Sequence, residues 1–175
     1  MATQPGDIVV CHGEGLVSWM IRSMERIRYR KGSAPHWNHA ALLVAPIPYV
    51  KPYGDGEQDW MIIEAGAHGV QHALLSELGE YNILDSKLDR RGRRLAVEFA
   101  ETALGSRYGF LTIASIVVNL LLPVIWQVTR PGTFICSGLV AHALEHGGHI
   151  FPLKWEADEV MPADLACLFS PANNG

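Results

Sequence analysis

Residues 133 to 148 read TFICSGLVAHALEHGG. A β-branched, apolar lead-in gives way at Cys136 to a run with helical spacing, and two glycines close it. A thiol in the first turn of a helix faces N–H groups with no intrahelical partner and the positive end of the macrodipole. Both favour the thiolate. The thiolate is the form that attacks a carbonyl carbon, so a cysteine in this place suits acyl transfer. A reduced cysteine is also a common small apolar core residue, and position alone does not separate the two readings.

A cysteine nucleophile needs an imidazole to hold its proton and a third polar group to orient the ring. His39 heads the strand-length apolar run HAALLV. Glu64 lies in MIIEAG, where a carboxylate inside an apolar run requires a partner. Adjacent strands would bring the two together. Taken singly, His39 also fits a satisfied core histidine and Glu64 a strand end facing water. His12, His36, His68 and His72 are alternative orienting groups in place of Glu64. Trp19, Trp37 and Trp155 read as core or cleft wall.

A competing constellation shares the same helix. HALEH, residues 142 to 146, matches the H-x-x-E-H pattern of inverted zinc peptidases, in which His142 and His146 would grip a metal and Glu145 would activate water. No third ligand is marked, and the three residues equally fit the solvated side of the helix. HGEG and GAHG lack the spacing of phosphate-binding loops and read as turns.

The elements that would position these groups follow from periodicity. GDIVVC is a short strand, Leu16 to Ile27 has the apolar spacing of one helix face, and NHAALLVAPI and DWMIIEAG are strands separated by the loop PYVKPYGDGEQ. GVQHALL and YNILDS are weaker strand candidates. RRLAVEFAETALGS is helical with Gly105 placed to end it, residues 135 to 146 form the last strong helix, and MPADLACLF starts a closing element at Pro162. The pattern predicts a single α+β domain over residues 1 to 175, with its strands grouped in the middle and helices packed on them.

The 22 residues from Tyr108 to Thr129 carry no formal charge. About 20 apolar residues suffice to span a bilayer, yet Asn119, Pro123 and Gln127 suit a buried helical hairpin or cavity wall better. Contact with a membrane surface or a protein partner is the second reading of this segment and a true span the third.

Composition bounds the rest. A net charge of -4 gives no broad positive field, so nucleic acid is not an expected partner. The basic runs RIRYRKG and DRRGRR read as solvated helix ends or turns. Three scattered cysteines, Cys11, Cys136 and Cys167, form neither a disulfide framework nor a zinc ribbon. MATQPGDIVV has no signal-peptide pattern, so the expected setting is the cytoplasm or delivery within a larger assembly such as a phage particle.

Taken in order, GDIVV, WNHAALLV, IIEAGAHGV, ALGSRYGF and FICSGLVAHAL resemble the circularly permuted branch of the NlpC-type, papain-like cysteine peptidases, the YiiX/YebB-like group. The likeness runs from Gly6 to about Leu165, with the histidine strand ahead of the cysteine helix. It implies a papain-like fold with a central antiparallel sheet. It further implies Cys136 as nucleophile, His39 as general base, Glu64 as the orienting group and Tyr108 lining the site. Trp37 and Ser137, chain neighbours of these residues, complete the expected substrate-binding set. No metal or cofactor is implied. Residues 110 to 129 are longer and more apolar than the resemblance leads one to expect and read as a helical insertion. The implied activity is thiol-dependent amide cleavage, with peptidoglycan stem peptides as substrate. Hydrolysis or transfer of lipid acyl groups on the same fold is the alternative. A non-enzymatic role in a cell-envelope or phage tail assembly, docked through the apolar segment, is the other.

Overall fold

A computed structural model of the chain describes residues 2–13, 36–48, 58–109, 133–152 and 156–170. The predicted helix from Leu16 to Ile27, the loop at 49–57, the apolar segment 110–129, Trp19 and Trp155 lie outside these residues. Five strands form one antiparallel sheet: β1 (Ile8–Cys11), β2 (His39–Pro48), β3 (Gln58–Gly66), β4 (Gly69–Leu74) and β5 (Tyr81–Leu84). Their spatial order is β4-β3-β2-β1-β5. Besides two 3-10 turns, Leu75–Glu77 and Ala157–Glu159, the remaining described elements are helix α1 (Arg90–Thr102), a short parallel pair β6 (Arg107–Tyr108) and β7 (Thr133–Phe134), helix α2 (Cys136–His146) and helix α3 (Pro162–Phe169). The described part is thus α+β, as the periodicity predicts; the parallel pair is an addition that two-residue strands give no periodicity to reveal.

The sheet is apolar on both faces, which explains why β1 and the first half of β2 are unbroken apolar runs. Ile8, Val10, Ala40, Leu42 and Ile63 pack in the main core with Leu139, Val140 and Leu144 of α2. Val9, Ala41, Leu43 and Ile62 point the other way and pack with Leu75 and Trp60. Strict alternation along β1, β2 and β3 produces this division. An irregularity between Leu43 and Ala45 shifts the register of β2 against β3 farther along.

Helix α1 begins three residues before the predicted RRLAVEFAETALGS stretch. Asp89 supplies the cap, its Oδ1 accepting from the Gly92 N–H at 2.6 Å. Gly105 then leaves the helix with φ +77, a conformation that favours glycine. The two glycines after α2 differ in role. Gly148 takes φ +95 and turns the chain. Gly147 is a packing residue, because a Cβ there would lie 2.5 Å from Leu88 Cδ1 and 2.7 Å from the Gly92 carbonyl oxygen.

Arg93 clamps the start of β1 to α1. Its guanidinium pairs with Asp7 and, at 2.6 Å, with Asp85, and it also donates to the carbonyls of Pro5 and Leu88. The Asp7 side chain is only 5% exposed, so removing the cation leaves a buried carboxylate without its counter-charge. Arg93→Met is therefore expected to destabilise the fold by about 3 kcal/mol. A urea melt in which the variant's midpoint matches wild type would refute the clamp.

Candidate active site

Three elements converge on Cys136. It is the first residue of α2, directly after β7 and Ile135, and it is fully buried. Ile135 at the cap position makes no side-chain cap hydrogen bond, and the first intrahelical bond is Leu139 N–H to Ile135 O at 2.9 Å. The amides ahead of it are free to serve the sulfur, and the Ser137 N–H hydrogen-bonds it. The Ala40 N–H of β2 does the same from the sheet. An uncapped helix start preceded by an apolar strand is the local design that turns these donors onto a thiolate.

His39, the first residue of β2, hydrogen-bonds Cys136 and places its Nε2 2.7 Å from Glu64 Oε2. With Nε2 committed to the carboxylate, Nδ1 is the nitrogen left for the sulfur. Glu64 pairs across the strands with Ala41, so His39 and Glu64 are diagonal neighbours on one face of the sheet. Gln71 on β4, the cross-strand partner of Glu64, donates to its Oε1 at 3.3 Å. Tyr108 is buried and hydrogen-bonds Cys136, held there by the β6–β7 pair that aligns it with Phe134. The His39 and Glu64 side chains keep 17% and 15% exposure, so the cluster meets solvent on their side.

The electrostatics favour an ion pair. Burial alone would raise the Cys136 thiol, but the His39 charge, its hydrogen bond and the Ala40 and Ser137 amides outweigh it and hold the thiol below its usual value. Burial likewise works against a charged His39, yet the Cys136 charge and hydrogen bond, reinforced by Glu64, carry it up to about 10. The hydrogen bond from His39 holds Glu64 below the usual carboxylate range. The shifts of Cys136, His39 and Glu64 all run toward a charged cluster of thiolate, imidazolium and carboxylate.

The sequence-predicted residues divide clearly. Cys136, His39, Glu64 and Tyr108 come together. Ser137 does not line a cleft with its side chain: its buried Oγ donates to the Val160 carbonyl at 2.6 Å, and only its main-chain N–H reaches the site. Trp37 is half-buried against the main core, with its ring edge-on to His36 at 4.6 Å. The alternative orienting histidines have other partners or are exposed. His12 Nδ1 meets the His36 carbonyl, His36 pairs with Glu80, His72 pairs with Glu101 on α1, and His68 is exposed in the β3–β4 turn. The HALEH histidines also have other partners. His142 binds Asp158 at 2.9 Å, and His146 stacks on Phe99. Among the described residues no group of three or more His, Cys, Asp or Glu could hold a metal ion. No helix among the described residues is long and apolar enough to cross a membrane.

Residue-type reasoning missed Asn38, Gln71 and the Ala40 amide. Asn38 is fully buried, and its amide exchanges hydrogen bonds with the main chain of Gly13 at 2.6 and 3.1 Å, fastening the exit of β1 beside the start of β2. An asparagine directly before a histidine-headed strand was the available signal. A main-chain donor such as Ala40 leaves no trace in residue type.

Glu64→Gln keeps the shape of the orienting group but removes its charge, so the imidazolium loses support. Turnover is expected to fall about 10- to 100-fold with the fold intact. A variant with unchanged kcat/KM would remove Glu64 from the site's chemistry.

No protein-family model and no curated protein sequence matches this chain.

Proposed function

We propose that the chain is a thiol-dependent acyl hydrolase of the permuted papain-like kind, with Cys136 as nucleophile, His39 as acid–base and Glu64 as the orienting group. The observation that carries this reading is the unbroken hydrogen-bonded series Gln71, Glu64, His39 and Cys136, which ends on an uncapped helix start. A core thiol has no use for an imidazolium, two amides and a phenol around its sulfur. In the reaction, the Cys136 sulfur attacks the carbonyl carbon, and the oxyanion is met by amide N–H groups at the start of α2. Collapse of the tetrahedral adduct expels the amine, which takes the proton from His39 and leaves a thioester on Cys136. Water, deprotonated by the now neutral His39, attacks the thioester. The acid is released, and the site returns to thiolate and imidazolium.

The substrate class rests on the resemblance of the motifs: the amide bonds of peptidoglycan stem peptides, with lipid acyl groups as the second substrate class. Intact-mass measurement after brief exposure to muropeptides or to lipid esters tests both. An acyl adduct that maps to Cys136 supports the mechanism, and the substrate producing it selects the class. Turnover without a Cys136 adduct, or turnover that survives Cys136→Ala, would refute it. A chain inert to all acyl donors, with an unreactive Cys136, belongs instead to a binding or structural component.

A further inference from the structure

Resting on that thiol reading, we propose that the sheet row from His39 through Cys11 to Tyr81 is the floor of the substrate cleft. Tyr81 is the platform in it for a ring-bearing portion of the substrate. The register carries this: Cys11 is the cross-strand partner of His39 on one side and of Tyr81 on the other. Alternation sets the face. Val9, Ala41, Ile62 and Ile83 belong to one apolar cluster, so residues 11, 39, 64 and 81, two positions along from them, are carried on that same face. The row that carries Glu64 and His39 therefore continues through Cys11 on β1 to the edge strand β5.

The row changes character along its length. Cys11 is buried, and burial, followed by the neighbouring charges of Cys136 and Glu64, pushes its thiol up to about 12. The floor beside the ion pair is consequently neutral and small. Beyond it, Tyr81 is 41% exposed, one of two large hydrophobic residues so exposed among the described residues; the other, Ile150, follows α2 and has no place in the row. Neighbouring bonds hold this end of β5. The His12 N–H donates to the Glu80 carbonyl at 2.9 Å, and the Glu80 carboxylate pairs with His36, three residues before His39, at 2.9 Å. Two strand spacings, about 10 Å, separate Tyr81 from His39. A tyrosine exposed to this degree at that distance fits a flat apolar ring, whether an aromatic side chain or the CH face of a sugar.

The test compares alkylation of Cys136 in the full chain by iodoacetamide and by two N-substituted iodoacetamides. Their tethers, about 10 Å long, end in phenyl or in N-acetylglucosamine. The exposed thiol of Cys167 reports each reagent's intrinsic reactivity. After that normalisation, at least one ring-bearing reagent is expected to modify Cys136 about tenfold faster than iodoacetamide. Tyr81→Ala should bring this quotient to about one and Tyr81→Phe should preserve it, as stacking on the ring face requires. Preference for phenyl assigns the platform to an aromatic side chain, and preference for the sugar to a saccharide. The quotient is taken within one protein, so a variant that loosens the site alters both rates and not their ratio. Absence of a ring advantage in wild type, or its persistence in Tyr81→Ala, overturns the inference while the thiolate stands. Failure of iodoacetamide itself to modify Cys136 overturns the thiol reading and this inference with it.

Discussion

Cys136→Ala is expected to lower turnover of any acyl substrate by at least about 10⁴-fold without unfolding the chain. The side chain is fully buried and small, so loss of one sulfur opens little space. Chemically the loss is complete, because no other nucleophile takes its place. Cys11 is the only other thiol in the row, and it is held protonated far above neutrality. Cys136→Ser is a sharper version, since it keeps the shape and the hydrogen bonds but replaces a thiolate by a hydroxyl that stays protonated. Single-turnover kinetics with circular dichroism on both variants checks the result. A serine variant retaining more than a tenth of wild-type activity would show that no thiolate is needed.

The second large effect is at His39, and pH makes it specific. The imidazolium beside the sulfur favours the thiolate, so alkylation of Cys136 should change less with pH up to about 9 than that of an ordinary thiol near 8.5, which climbs steeply there. Turnover should fall as pH rises through about 10, where His39 loses its proton. It should also fall on the acid side once Cys136, held below its usual value, is protonated. These limits belong to the pair and not to either residue alone. In His39→Ala the stabilising charge is gone while burial remains, so Cys136 should now react faster with each rise in pH across that range. Turnover should drop about 10³- to 10⁴-fold from loss of both the thiolate and the leaving-group acid. An alanine variant whose alkylation kept the wild-type pH dependence would place the origin of the thiolate in the helix start alone. Arg93→Met, by contrast, should lower stability and leave this pH profile in place, which separates damage to the fold from damage to the site.

Local signals in the chain were enough to place the five sheet strands and the three helices of the described residues. The short apolar runs IVVC, HAALLV and MIIEAG, and the period of three to four in VEFAETAL and CSGLVAHAL, come from which surfaces must be buried, a property each segment carries by itself. The same logic made Cys136 a helix-start thiol, and it made Glu64 a carboxylate in need of a partner. Glycines were harder, because a glycine that turns the chain and one that allows close packing look alike in sequence; Gly148 is the first kind and Gly147 the second.

Only tertiary structure decided which partners met. Cys136 and His39 stand 97 positions apart, and their contact depends on α2 starting at the end of a sheet whose strand order the periodicity does not encode. Register then chose Glu64 over His12, His36, His68 and His72, since diagonal placement against Ala41 gives one carboxylate, and no imidazole, the reach to His39. It also turned the Ser137 hydroxyl away to Val160 and recruited the Ala40 amide, a main-chain group present at almost every position and made useful at this one by where the helix starts. Burial preference is a one-residue property written in each side chain. Pairing is a two-residue property, and it exists once the chain has closed the distance between them.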